Sequence, residues 1–201
     1  AWPGNPAARA EAAGESKSVF NCSGKHAGFI AASKAAGWDV ETYRDANHPM
    51  QKLVEEVLVE FSGESVLHST VDGCGAPLHT ITLEGLARAI GKFSATEREI
   101  VNAMLANPWA VGDTKSPDAL IMRHGMVAKL GAEGVFVIGL KSGHGVAVKI
   151  ADGSLRAASL VALKLLQHNG LIDDATFASL HTELTVKAMG GSEVLGELRA
   201  L

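Results

Sequence analysis

The stretch Asn21-Cys22-Ser23-Gly24-Lys25-His26 constrains this chain more than any other. It stands between a polar entry punctuated by Pro and Gly and a small-residue run, Ala27 to Ala36, that predicts a helix ended by Gly37. A helix starting near Ser23 puts Cys22 at its N-terminus, where aligned peptide dipoles favour a thiolate. Cys22, Lys25, His26 and Phe29 then share one helical face, at the spacing i, i+3, i+4, i+7. The other cysteine stands in Asp72-Gly73-Cys74-Gly75, where flanking glycines let the backbone turn tightly and approach another group. Whether the two cysteines and Lys25 meet decides what chemistry the chain can hold.

A chain of 201 residues fits one ordinary domain, large enough to bury about 70 % of its unfolded surface. Its 47 % hydrophobic and 5 % aromatic content points to an Ala/Val/Leu-rich α/β protein. A net charge of −4 gives no reason to expect nucleic acid or an anionic membrane as partner. No apolar run is long enough to span a bilayer, and residues 1–20 lack the hydrophobic core of a signal peptide. Two cysteines do not make a disulfide scaffold, so a reducing, cytoplasmic home is expected. The opening Ala1-Trp2-Pro3, without an initiator Met, is that of a processed, trimmed or partial chain.

Along the chain, Asn5-Pro6 predicts a short helix stopping at Gly14, and Pro49 starts a longer one that Gly63 stops. That second helix carries an apolar stripe of Leu53, Val54, Val57, Leu58 and Phe61. Ser65 to Val71 reads as a strand delivering the Cys74 turn. Thr82 caps a helix over Leu83, Leu86, Ala87 and Ile90, and Ser94 with Glu97 forms a capping-box pattern for the next. Ser116-Pro117 starts a shorter helix. Gly134 to Leu140 and Gly145 to Ile150 form a hairpin around Lys141-Ser142-Gly143-His144. On its second strand Lys149 shares a face with the minimal side chains Gly145 and Ala147, an arrangement with open space beside the lysine. Ser154 caps a helix closed by Gly170, and a last helix runs from about Asp173 to Leu184. The expected class is α/β with helices predominating.

The residues alone leave Cys22, Lys25 and Cys74 open to three readings. Thiolates suit zinc, and Cys-x-x-Lys has the reach to share a metal. Against this, an amine ligates only when deprotonated, far below its usual pKa. Two reduced cysteines near a turn, or a disulfide, are the alternatives. The histidines form no HExxH or HxH pattern. Lys141-Ser142-Gly143 reads as a solvated hairpin turn, although it echoes the Lys-Thr/Ser-Gly element of penicillin-recognising enzymes. No Ser-x-x-Lys, Walker loop, Gly-x-Gly-x-x-Gly or Gly-x-Ser-x-Gly occurs.

Five motifs follow in order: Asn21-Cys22-Ser23-Gly24-Lys25-His26-Ala27-Gly28; His48-Pro49-x-Gln51; Asp72-Gly73-Cys74-Gly75-x-Pro77; Lys129-Leu130-Gly131-Ala132-Glu133-Gly134; and Gly145-x-Ala147-x-Lys149-Ile150-x-Asp152-Gly153. Together they resemble the rhizobial-type L-asparaginase family, also called asparaginase II. The resemblance implies a fold like that of serine β-lactamases, penicillin-binding proteins and glutaminases. It also implies hydrolysis of L-asparagine, or a similar small amide, to the acid and ammonia. By motif it makes Cys22, Lys25 and Cys74 zinc ligands, Asp72 and His26 substrate contacts, and Lys149 the partner of a catalytic serine. The family's Ser-x-x-Lys nucleophile lies upstream of the central motif, and so does the second serine, the one that partners the lysine corresponding to Lys149. The resemblance therefore makes residues 1–201 the C-terminal portion of a single asparaginase-like domain, lacking its N-terminal strands and inactive alone, and a homodimer when complete. A non-catalytic zinc- or amino-acid-binding homologue and a glutaminase-like amidase are the rival readings.

Overall fold

Residues 2, 3 and 6–200 are described by the structure, a computed structural model. They form two units, residues 1–60 with 64–81 and residues 61–63 with 82–201. Helices and small antiparallel sheets make up both, an α/β composition in which helices predominate.

The first unit contains α1 (Pro6–Glu11), α2 (Ser23–Ala35), most of α3 (Pro49–Ser62) and the hairpin of β1 (His68–Val71) with β2 (Pro77–Thr80). Asn5, the expected start of α1, lies outside the described residues. The spacing expected for α2 is observed: the helix starts at Ser23 and stops short of Gly37. Between α2 and α3 the chain makes a series of turns held by two buried polar side chains. His48 Nδ1 accepts the Met50 N–H at 3.0 Å, so Nε2 carries the proton and donates to the Asp39 carbonyl at 2.7 Å. Gln51, only 1 % exposed, donates from Nε2 to the Tyr43 carbonyl at 2.7 Å.

This loop explains a correction on α3. Of its expected apolar stripe, Leu53 and Val57 are exposed, whereas Met50 and Gln51 are buried. The helix turns towards the loop the side that carries loop-binding polar groups, at the expense of part of the apolar side. Leu67, Val71 and Leu78 of the hairpin region are exposed as well. β2 was not legible, because Pro77 argues against a strand; it is tolerated as the strand's first residue.

In the second unit the elements are α4 (Leu83–Thr96), α5 (Arg98–Ala106), α6 (Pro108–Val111), α7 (Pro117–Met122), β3 (Val127–Gly131), β4 (Val135–Gly139), β5 (Gly145–Lys149), α8 (Ala158–His168), α9 (Asp174–Leu184), β6 (Lys187–Gly190) and β7 (Glu193–Glu197). β3, β4 and β5 form one antiparallel sheet in that order. Phe136, Ile138 and Val148 on one face join a core with Leu160, Leu163 and Leu166 of α8, Leu180 and Leu184 of α9, and Ile121 and Met122 of α7. Burying each such side chain contributes about 1.5–3 kcal/mol. Asp118, fully buried in α7, accepts the Leu130 N–H at 2.7 Å and so fastens α7 to β3.

The opposite face is packed by α4 at a pair of glycines. Gly139 and Gly145 are directly paired across β4 and β5. A Cβ on Gly145 would come 2.0 Å from the Ala87 carbonyl oxygen, and one on Gly139 would come 2.1 Å from Ser94 Oγ. Two sequence expectations fail here for one reason, the close approach of helix to sheet. Ser94 does not start a helix with a capping box; it sits inside α4, 3 % exposed, and faces Gly139. Nor is the space beside Gly145 open, because α4 fills it; Lys149, four residues further along β5, is exposed.

The caps expected at Thr82 and Ser116 are present, accepting from the N–H of Gly85 and Ala119. Asp173 caps α9. Ser154 does not cap α8, whose N-cap is Ala157 without a side-chain bond; Ser154 Oγ instead accepts from Arg156 N–H within the preceding turn. The tail expected around Gly190-Gly191 is an exposed hairpin, β6 with β7.

The glycine contact has a measurable consequence. Gly145→Ala drives a methyl group into the α4 backbone and lowers the unfolding free energy by about 1–3 kcal/mol, the range for overpacked sites. Gly14→Ala, where nothing lies within 4 Å of an added Cβ, leaves it unchanged. Urea denaturation of the two variants distinguishes them.

Candidate functional site

Local folding in the first unit brings Cys22, Lys25, Asp72 and Cys74 together. Cys22 is the N-cap residue of α2, and Lys25 follows on the first turn. After β1, the Asp72 N–H donates to the Ala76 carbonyl and the Gly75 N–H to the Asp72 carbonyl, each at 2.8 Å. Gly75 closes this turn at φ +82°, a conformation that a side chain would strain. The Asp72 carboxylate is the hub. Its Oδ1 accepts the Gly73 N–H at 2.7 Å, while Oδ2 accepts Lys25 Nζ at 3.0 Å and the Cys74 thiol at 3.4 Å.

The charges follow from these bonds. The hydrogen bond from Lys25, reinforced by the Gly73 N–H, holds the Asp72 carboxyl below the usual carboxylate range against the effect of burial. Burial works against the Lys25 charge, but hydrogen bonds to Asp72 and Cys74 outweigh it, and the Lys25 pKa is raised. Burial also pushes the Cys22 thiol up; Cys74 adds to this, and Lys25 offsets only part. The thiolate expected at the start of α2 is therefore not favoured at Cys22. Desolvation and a second sulfur prevail over the helix dipole.

One sulfur from each cysteine and an Asp72 carboxylate oxygen lie within 4.8 Å of one another. Tetrahedral zinc, with Zn–S bonds near 2.3 Å, sets two sulfurs about 3.8 Å apart. The donor set of two thiols and a carboxylate fits such an ion. Lys25, as an ammonium, adjoins the set and becomes a donor to metal only on losing its proton.

His26 follows Lys25 and faces a different neighbourhood. Its Nδ1 is hydrogen-bonded to the Tyr43 hydroxyl at 2.7 Å, and its ring packs edge-on to Phe29 and Tyr43. Its Nε2 is buried without a hydrogen-bond partner. Burial, then the charges of Lys25 and Arg44, lower its pKa and keep the ring neutral. An open cleft of about 770 Å³ runs along this side, lined by His26, Tyr43, Arg44, Cys74, Lys17 and Glu41 among others.

Tyr43 and Arg44 were missed by sequence reasoning. The signal was His48-Pro49-x-Gln51: two polar side chains beside an apolar stripe need partners when buried, and they find them in the loop backbone that presents Tyr43 and Arg44.

Lys149 lies on β5 of the second unit. Its Nζ donates to the carbonyls of Glu133 and of Ile150, the latter at 2.8 Å. Those partners are backbone oxygens, and no serine hydroxyl is among them.

A family model described as L-asparaginase II matches residues 2–200. The chain belongs to the L-asparaginase II family. No curated protein matches it. The family match extends over both units of this L-asparaginase II chain, from the entry before α2 to the β6–β7 hairpin. It thus covers the cysteine cluster, the His48 to Gln51 anchor and the strand of Lys149. None of the helices is long and apolar enough to cross a membrane, among the described residues.

The raised Cys22 pKa predicts slow alkylation. In metal-free protein, Cys22 reacts with iodoacetamide more slowly than an unhindered thiol at neutral pH, and the rate climbs with pH as the thiolate forms. Cys74→Ser removes the second cause of the shift and speeds the reaction at neutral pH. Mass spectrometry of the labelled peptide follows both rates.

Proposed function

We propose that this chain carries the ligand-binding and metal-binding part of an amidohydrolase that converts L-asparagine to L-aspartate and ammonia. The family match over residues 2–200 carries the reading. The site chemistry supports it. An ionised Asp72 suits the α-ammonium of an amino acid, and neutral His26 keeps a buried Nε2 without a partner at the side of the cleft. On this reading Cys22, Lys25 and Cys74 hold zinc, while Asp72, hydrogen-bonded to Lys25, orients the lysine nitrogen from outside the ligand set. Bound zinc supplies positive charge that orients the substrate or stabilises developing negative charge.

The covalent step is assigned to a serine outside residues 1–201, which contain no Ser-x-x-Lys. Its hydroxyl oxygen attacks the amide carbon and its proton passes, by way of a second serine also outside residues 1–201, to a lysine amine, a role given to Lys149. The same lysine returns the proton to the leaving nitrogen as the C–N bond breaks, and water then cleaves the ester to aspartate. We extend the reading to a fold akin to serine β-lactamases and glutaminases, a homodimer, and a cytoplasmic location. Two free cysteines support the last. A second reading, a zinc- or amino-acid-binding protein without catalysis, is favoured by the missing Ser-x-x-Lys.

Two measurements test this. Elemental analysis of the purified chain finds zinc, and Cys74→Ser loses most of it; a zinc-free wild type removes the metal from the reading. Ammonia release from L-asparagine and L-glutamine is then compared between residues 1–201 and the product of the reading frame extended upstream. The extended protein hydrolyses asparagine, and residues 1–201 alone fall short by on the order of 10⁶-fold, the cost of losing a catalytic serine. Equal turnover puts the nucleophile within this chain. Binding without turnover in both establishes the second reading, and preference for glutamine makes the enzyme a glutaminase.

A further inference from the structure

The cleft beside Cys74 carries an arginine, Arg44, whose charge acts on His26. Arg44 forms no ion pair among the described residues, although Glu41 lines the same cleft. Its position is nonetheless built. The preceding carbonyl, that of Tyr43, is gripped by the fully buried Gln51 at 2.7 Å. The Tyr43 hydroxyl is engaged with His26 at 2.7 Å, which fixes the loop from its other side. The guanidinium crosses the turn that bears Asp72 and Cys74 at Gly75, the second of its two glycines. A Cβ on Gly75 would stand 2.9 Å from Arg44 Nη1 and 3.9 Å from Cζ.

An arginine held over a backbone turn, unpaired and open to a cleft, is a receptor for an oxyanion. Its planar fork matches a carboxylate through two parallel hydrogen bonds, which a lysine cannot reproduce. The same turn carries an ionised carboxylate, Asp72, so the site offers both signs of charge. That pairing fits an α-amino acid, whose ammonium and carboxylate leave one carbon, and selects against a simple amide or an amine.

We infer that Arg44 recognises the α-carboxylate of the amino-acid ligand, with Tyr43 holding His26 beside it, so that the site reads the amino-acid backbone apart from the side-chain amide. This rests on the asparagine reading above, and it names the group by which that substrate is selected.

Calorimetric titration of residues 1–201 tests it with L-asparagine and with L-asparaginol, in which an alcohol replaces the carboxylate. Arg44→Gln is expected to weaken L-asparagine at least about 10-fold, the loss of a charged hydrogen-bonding partner, and to leave L-asparaginol, already weak, unchanged. Arg44→Lys recovers part of the affinity, having charge without the fork. Circular dichroism checks that the variants fold, as expected for an exposed side chain. L-asparagine bound as tightly by Arg44→Gln as by the wild type overturns this inference and leaves the asparagine reading standing. So does equal wild-type affinity for asparagine and its alcohol. Failure of the wild type to bind either compound at millimolar concentration overturns both.

Discussion

One charge-assisted hydrogen bond, Lys25 Nζ to Asp72 Oδ2 at 3.0 Å, connects the first turn of α2 to the turn after β1. Both side chains are more than a third exposed, so its contribution to stability is small. Its importance is positional and electrostatic. It brings an ammonium next to two thiols and favours the charged forms of Lys25 and Asp72. Without metal, Asp72 is anionic, Lys25 cationic and Cys22 neutral, a set in which every proton has a place. A cation entering it must displace protons from sulfur, and from Lys25 if that residue ligates, so binding is coupled to proton release.

The surroundings of this cluster depend on buried polar groups rather than on apolar packing. α2 is mostly exposed, with Ser33 its buried residue, and α3 presents Leu53 and Val57 to solvent. What orders the segment between them is the satisfaction of His48 and Gln51 by loop carbonyls. Buried donors left unmade are costly, about 1–3 kcal/mol each, so the loop has little freedom to withdraw. Tyr43 and Arg44 inherit their positions from that requirement. In the second unit the logic is the opposite: a conventional apolar core on one sheet face, and on the other two paired glycines that let α4 approach to backbone distance.

Much of the element order was legible in the residues. Thr82, Ser116 and Asp173 cap helices where their side chains can reach an N–H three residues on, and Pro49 with Gly63 brackets α3. The β4–β5 hairpin announced itself by its alternation and by a turn of polar residues. These signals were readable because the atoms that satisfy them lie within a few residues. The short strands β2, β3, β6 and β7 carry no such signal: four or five residues, broken by Pro or Gly or mixed with charge, look like loop until a partner strand is known.

By itself, the sequence determined the helix ends, the central hairpin, the composition class and the family motifs, all of which depend on local geometry or on the order of residues. Only the tertiary structure decided that Ser94 faces Gly139 inside one long helix, that Gly145 is small because a helix backbone passes over it, and that Asp72 is the hub of the cysteine cluster. It alone set Arg44 over Gly75 and left Lys149 bonded to backbone carbonyls. Apart from the short Cys74–Asp72 and Lys149–Ile150 bonds, these are contacts between residues far apart in the chain. A capping residue meets its partner in any chain that forms the helix, whereas Gln51 meets the Tyr43 carbonyl, and Lys25 meets Asp72, only once the intervening backbone has folded.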